Sequence, residues 1–419
     1  MVFLDTMRYY LYILQGVFMS QAEFQAKVKA IQSEAGYKVP IGFGICFTDV
    51  GVMSNKVLQA TYPVLNWGEN FGSYAIFSAL RGECEVLEDS ASELVLGISE
   101  EFVLKALEDF APFIAETQEN PNAHKNVAVV LELQRALQEN RIYTENGDFC
   151  YRFCAIYEDM ECKSVESAYM KLLALSLGKA PLRSLCLDGI FGLLSNVAWS
   201  GNVPYELEWL RENEIALKMR GEFPAIDFVD KFPRYLMQVI PQYDNIRLLD
   251  TAKTRFGAYL GKGGYTQMPG ASYVNFNAGA IGACMNEGRI SSSVIVGEGS
   301  DVGGGASILG VLSGGNSEPI SIGKNCLLGV NSSTGISLGD GCIVDGGIAV
   351  LAGTVFKITE EEARKLAEIN PNFIVNPTGL YKGKELSGKN GVHFRQNAKT
   401  GEMIAFRSNR KIELNAALH

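Results

Sequence analysis

Between Gly257 and Gly353 small and aliphatic residues recur in steps of six: Ala278, Cys284, Ile290, Val296, Val302 and Ile308. The count resumes at Ile322, Leu328 and Thr334, and again at Leu338, Val344, Val350 and Phe356. Glycine follows many of these positions directly, as in Val296-Gly297, Val302-Gly303 and Leu328-Gly329. A six-residue period is too short for helical repeats and fits the strand-and-turn unit of a parallel β-helix. Each short strand turns one side chain to the axis, and glycine permits the tight turn after it. The break is also informative. Ile308 to Ile322 is 14 residues and Thr334 to Leu338 is four, so the two offsets cancel. A loop extruded at Val311–Pro319 accounts for this, and its Gly-Gly-Asn-Ser run is turn chemistry suited to covering a ligand.

Upstream the pattern is mixed. Gln21–Ala35 reads as a helix ended by Gly36, and Tyr37–Ser54 and Tyr74–Phe77 read as strands. Glu100–Ala115, His124–Leu137, Val165–Leu177 and Leu182–Val197 carry apolar positions at helical spacing. Downstream, Thr359–Asn370 is a short charged helix, and Phe394–Phe406 is a hairpin with its tip at Lys399-Thr-Gly401. The predicted organisation is an α+β N-terminal domain over 19–250 and a left-handed parallel β-helix over 251–357. A small β-rich C-terminal segment over 358–419 follows, with its helix and hairpin. Residues 1–18 form an extension set apart from the fold, with Met19 as an alternative start. That extension is too short and too interrupted by Asp5 and Arg8 to span a membrane, and it makes a poor signal peptide.

Composition sharpens this picture. At 419 residues the chain needs two or three domains. Of its 44 glycines, 24 fall within Gly257–Gly353, where only nine residues are charged. Strands with so few charged faces are expected to pack against other chains. A net charge of −10 argues against nucleic acid as a partner, and no apolar stretch reaches spanning length. The nine cysteines include no CxxC, and Cys150, Cys154 and Cys162 lack a nearby histidine for zinc. Free thiols in this number suit a cytoplasmic protein. Cys326 and Cys342 each stand two residues before a counted position and are expected to fill the core. Neither a complete dinucleotide-binding loop nor a Walker A sequence occurs. The histidines, His124, His393 and His419, all lie outside the hexad region. A base acting within the β-helix is therefore expected to be a carboxylate.

Three runs carry a resemblance: Tyr273-Val-Asn-Phe-Asn-Ala-Gly279, Met285-Asn-Glu-Gly-Arg-Ile-Ser291, and Val296-Gly-Glu-Gly-Ser-Asp-Val-Gly-Gly-Gly-Ala-Ser307. With Ile322–Gly329, Leu386-Ser-Gly388 and Phe394-Arg395, they resemble the tetrahydrodipicolinate N-succinyltransferases, closely over Arg255–Phe356 and weakly to the C-terminus. The resemblance implies a cytoplasmic homotrimer with sites between neighbouring β-helices. It would transfer succinyl from succinyl-CoA to ring-opened tetrahydrodipicolinate in lysine and diaminopimelate synthesis. Succinyl-CoA enters as a co-substrate, and no cofactor is permanently bound. Glu287 matches the catalytic glutamate, and Arg289 matches a position that binds the acyl donor or substrate carboxylates. Gly304, Ser307, Gly310 and Val330 match the wall of the site, with Gly310 offering a backbone N–H to the thioester oxygen. Asp345, Gly346 and Gly353 match contacts to the pantetheine arm. Lys382, Arg395 and Asn397 lie where the C-terminal segment meets the nucleotide end. The magnesium-binding branch carries an acidic residue before the VNFNAG run. Here Pro269-Gly-Ala-Ser272 stand instead, so no metal is expected. Two other readings remain open: an acetyl-CoA-dependent hexapeptide acyltransferase, and a non-catalytic β-helix scaffold.

Overall fold

A computed structural model describes residues 19–250, 253–311 and 318–414. The extension at 1–18 and most of the loop at Val311–Pro319 lie outside the described residues. The chain forms two compact units, one running to Lys171 and resuming at Cys186–Lys231, the other comprising Leu172–Leu185 and Phe232 onward. The sequence boundary at 250/251 thus falls inside the second unit, which also takes Leu172–Leu185 from the middle of the chain.

In the first unit, strand Gly42–Val50 pairs antiparallel with Val57–Thr61 on one side and Tyr151–Ile156 on the other. Glu93–Gly97 and Glu85–Asp89 complete that side of the sheet. Helices pack on it through a core that includes Phe43, Phe77, Phe102, Val130 and Phe153. The first helix, Gln21–Gln32, begins at a capping box in which Ser20 and Glu23 satisfy each other's backbone N–H. Tyr74–Phe77, read as a strand, belongs to helix Phe71–Ala79. All four residues are buried, and a short run buried on every side has no period that separates strand from helix. The helical reading of Leu182–Val197 shrinks to Ile190–Leu193, because Gly189 takes a φ of 78° immediately before it.

The second unit contains a parallel β-solenoid. Its strands stack into three columns of parallel pairs, in which Val302 lies beside Leu328 and Leu328 beside Val344. Ile308 stacks on Thr334 and Thr334 on Val350, while Val296 stacks on Ile322. All of these inward side chains are buried, at about 1.5–3 kcal/mol for each large aliphatic group. Stacked partners are 16 residues apart above the loop, as Leu328 and Val344 are, and 26 apart across it, as Val302 and Leu328 are. The columns keep their register on both sides of the loop.

The hexad phase needs one correction at the start of the solenoid. Ala280 and Asn286, not Ala278 and Cys284, stand beneath Val296 and Val302. Ala278 and Cys284 are also fully buried, so burial alone supports the wrong phase. Cys326 and Cys342 are buried thiols, as expected of core fillers.

The C-terminal segment extends the solenoid. Strand Val392–Gln396 pairs in parallel with Ile343–Val344 and then folds back antiparallel onto Met403–Arg407. The hairpin was legible in the sequence, but its docking on the solenoid was not.

Arg183 ties separate coils together. Its Nε donates to Ser293 O (2.5 Å), Nη1 to Ser321 Oγ (2.9 Å) and Nη2 to Ile320 O (2.5 Å). Its backbone N–H reaches Asn277 Oδ1 at 2.7 Å, and its φ of 68° is unusual for a side-chain-bearing residue. Burial lowers the proton affinity of this guanidinium, yet its donors are satisfied by carbonyls and a hydroxyl. Arg183→Ala should lower stability by about 2–4 kcal/mol, since several charge-assisted hydrogen bonds are lost together. Denaturant unfolding measures this, and a change within error would mean that water replaces the guanidinium at no cost.

Candidate active site

The NEGR run sits where one coil turns a corner. Asn286, fully buried, accepts a hydrogen bond from Gly288 N–H at 3.0 Å and donates to Tyr265 Oη at 3.0 Å. The turn between them presents Glu287 outward. A side chain at Gly288 is excluded, because a Cβ there would lie 2.4 Å from Ala306 O. Sequence reasoning passed over Asn286, a buried polar residue that stacks between Gln267 and Val302 and anchors the turn.

Corners of successive coils stack on this turn through backbone hydrogen bonds. Gly305 N–H donates to Glu287 O (3.1 Å), Asn331 N–H to Gly304 O (2.9 Å) and Gly347 N–H to Val330 O (2.8 Å). Glu287, Gly304, Val330 and Gly346 therefore form one ridge. Gly305, Asn331 and Gly347 all take positive φ, the backbone state that lets each corner repeat. A Cβ on Gly304 would lie 3.6 Å from Oε2 of Glu287 and 3.9 Å from Cγ2 of Val330. Val330 is exposed, giving the ridge an apolar step above the carboxylate.

Neighbouring groups complete the ridge. Arg289 donates to Ser307 Oγ from both Nε (3.1 Å) and Nη2 (2.7 Å), so these two predicted residues also meet. Gly310 ends a described coil just before the loop. Asp345, next to Gly346, accepts from Arg395 Nε at 2.5 Å and lies 2.7 Å from His393 Nε2. Burial pushes the Asp345 carboxyl up, but hydrogen bonds from Arg395 and His393 outweigh it and hold the group below the ordinary carboxylate range.

Three expected residues stand apart from the ridge. Gly353 adjoins the Lys382 segment, where Gly383 N–H donates to Thr354 O (2.7 Å) and Lys384 N–H to Ala352 O (3.0 Å). Lys382 is exposed and forms no ion pair among the described residues. Asn397 commits its side-chain oxygen to the hairpin turn, accepting from Lys399 N–H at 2.9 Å and Thr400 N–H at 3.3 Å.

Two titratable groups near the ridge escaped the sequence reading. Asp301 pairs in register with Met285, and burial first, then the charge of Glu287, raises its carboxyl above the ordinary value. His393 was counted as outside the β-helix, yet the docked hairpin brings it to the edge of the solenoid sheet. It does not reach Glu287 within one chain. Asn286 and Phe394 are four strand spacings apart in the same column, roughly 19 Å at the usual separation of paired strands. The carboxylate remains the base available at the NEGR corner. Among the described residues, no group of three metal-ligating side chains occurs.

The chain is similar to known proteins along most of its length. Residues 22–192 match the tetrahydrodipicolinate N-succinyltransferase N-terminal domain, and 194–234 match the middle domain of the same family. Residues 319–352 match the hexapeptide repeat of succinyl-transferase. The 2,3,4,5-tetrahydropyridine-2,6-dicarboxylate N-succinyltransferase of Helicobacter pylori is 66% identical over 398 residues, covering 95% of this chain and 99% of that protein. The chain belongs to the tetrahydrodipicolinate N-succinyltransferase family. The enzyme of the same name from Campylobacter jejuni is 50% identical over 402 residues, covering 96% of this chain and 99% of that one. A crystal structure of a candidate 2,3,4,5-tetrahydropyridine-2-carboxylate N-succinyltransferase, also from Campylobacter jejuni, superposes with a TM-score of 0.86 at 49% identity. It covers 95% of this chain and 100% of its own.

The ridge predicts a selective steric block. Gly304→Val should keep the unfolding midpoint near that of the parent, because the added atoms point at the Glu287 carboxylate and Val330 rather than at backbone. Its kcat/KM should fall at least about tenfold, as expected when reacting groups are displaced by about an ångström. Full activity in this variant would place the reacting atoms off the ridge.

Proposed function

We propose that the protein transfers the succinyl group of succinyl-CoA to the amino group of hydrated, ring-opened tetrahydrodipicolinate, in the succinylase branch of lysine and diaminopimelate synthesis. The observation that carries the chemistry is Glu287. Its half-buried carboxylate stands on the ridge beside Gly304 and Val330 and makes no hydrogen bond or ion pair among the described residues. An unpartnered carboxylate is free to take a proton from an incoming amine. In this reading the amine nitrogen bonds to the thioester carbon, Glu287 receives the amine proton, and the C–S bond breaks. The proton then passes to the departing coenzyme thiolate. Gly310 N–H serves the thioester oxygen, since a fixed backbone donor stabilises the charge that develops there.

The remaining contacts extend from the ridge to the C-terminal segment. Arg289, oriented by Ser307, grips a carboxylate of the acceptor or the succinyl group, which a planar guanidinium does through two hydrogen bonds. Val330, Asp345, Gly346 and Gly353 lie along the pantetheine arm, and Lys382, Arg395 and Asn397 meet the nucleotide end. Succinyl-CoA is a co-substrate, not a resident cofactor. The protein acts in the cytoplasm, a reading supported by nine free cysteines.

Replacement of Glu287 by Gln should cut turnover by roughly two to four powers of ten, the usual range for a general base, with little change in substrate affinity. A carboxylate that attacked the thioester would form an anhydride instead. CoA would then appear without acceptor, and hydroxylamine would trap the acyl group. A base gives neither product. Near-normal turnover in Glu287→Gln would remove this residue from the reaction.

The active form is a homotrimer with each site completed by a neighbouring solenoid. The low charge of the repeat region and exposed apolar side chains such as Val330 and Ile281 support this. Sedimentation at micromolar concentration should give a trimer, and a fully active stable monomer would overturn the shared site.

A further inference from the structure

His393 is a buried histidine to which the reaction above gives no task. It is 7% exposed, and its ring packs on Phe406 with centroids 4.6 Å apart. An ionised carboxylate only accepts hydrogen bonds, so Nε2 donates to Asp345 Oδ1 at 2.7 Å. Arg395 Nε donates to the other oxygen at 2.5 Å, and the guanidinium lies over the Phe406 ring at 5.4 Å. Asp345 is thus shared between an imidazole and a cation.

Few other charges face this cluster. The coil beneath supplies Asp345, and the histidine's own strand supplies Arg395, whose Nη2 is 3.4 Å from Nε2. The return strand places Phe406 opposite His393. Its next residue, Arg407, turns to the carbonyls of Gly391 and Ser408, and Glu402 is paired with Lys357. With a neutral imidazole the charges of Asp345 and Arg395 cancel.

We propose that His393 is a positioning residue for the acyl donor, taking up a proton as coenzyme phosphates engage Arg395 and so keeping Asp345 paired. The proposal rests on the reading of Arg395 as a phosphate-binding cation. A phosphate competes with Asp345 for the guanidinium and adds negative charge beside a partly buried carboxylate. At such distances and reduced dielectric, one uncompensated charge is costly. Arginine is already protonated, so imidazole is the member of the cluster able to gain a proton near neutral pH. The resulting imidazolium–carboxylate pair holds the hairpin strand on the solenoid while Arg395 turns to its ligand.

Isothermal titration of free coenzyme A into the full-length protein, in buffers of differing ionisation enthalpy, tests this. The parent protein should take up more protons per coenzyme bound than His393→Gln or Asp345→Asn. Its affinity should also fall with rising pH by several-fold more than that of either variant, as linkage between binding and protonation requires. A role confined to holding the hairpin would weaken both variants equally at every pH. Identical proton counts in the parent and both variants overturn the proposal even where affinity drops. Should His393→Gln fail to fold, the Asp345→Asn comparison decides. Unchanged coenzyme affinity in Arg395→Ala would instead remove the phosphate reading on which the proposal stands.

Discussion

Coil-to-coil backbone hydrogen bonding is the constraint from which the second unit follows. Paired strands must lie about 4.8 Å apart, so every coil repeats the path of the one beneath it. That repetition fixes which residues share a column and which share a corner. It turns positions far apart in sequence, such as Glu287, Gly304, Val330 and Gly346, into neighbours on one ridge. Most side chains pointing inward are small or aliphatic, because the axis of the prism is narrow. Outward positions at the corners, such as Glu287 and Val330, are released from that demand.

The ridge shows how a rigid repeat lines up exposed corner residues. Gly304 leaves the space beside the carboxylate of Glu287 open, where a Cβ would lie 3.6 Å from Oε2. Asn286 spends a buried polar side chain on shaping the turn that presents Glu287, and Tyr265 satisfies its other end. A buried amide without such partners would be unfavourable. The two hydrogen bonds make the corner specific as well as tolerable. Arg289 and Ser307 repeat the arrangement one column away, where a flexible cation is held in place by a hydroxyl from the next coil.

The C-terminal hairpin adds what the repeats lack. By continuing the parallel sheet at Ile343–Val344 it covers an edge that would otherwise offer unpaired backbone groups. It also delivers His393 and Arg395 to Asp345. The cluster around Asp345 is thereby built from two different kinds of structure, a repeat corner and an appended strand. Charge is concentrated there and nearly absent from the solenoid interior, consistent with an apolar axis that excludes unpaired ions.

The repeat period alone determined the solenoid, because a six-residue rhythm with glycine turns satisfies no other regular backbone. Family-specific runs then singled out Glu287, Arg289 and the glycine wall, and the charged helix and C-terminal hairpin were readable from local pattern. Tertiary structure decided the rest. The phase at Ala280 and Asn286 escaped the count because Ala278 and Cys284 are equally buried, so composition supports either register. The helix at Phe71–Ala79 escaped because burial on all sides erases periodicity. Arg183 and His393 escaped for a different reason. Each acts on residues about 50 to 140 positions away, and no local pattern records where a distant strand or loop will dock. Local sequence encodes how a segment folds, whereas long-range pairing is set by which surfaces remain unsatisfied once the segments have formed.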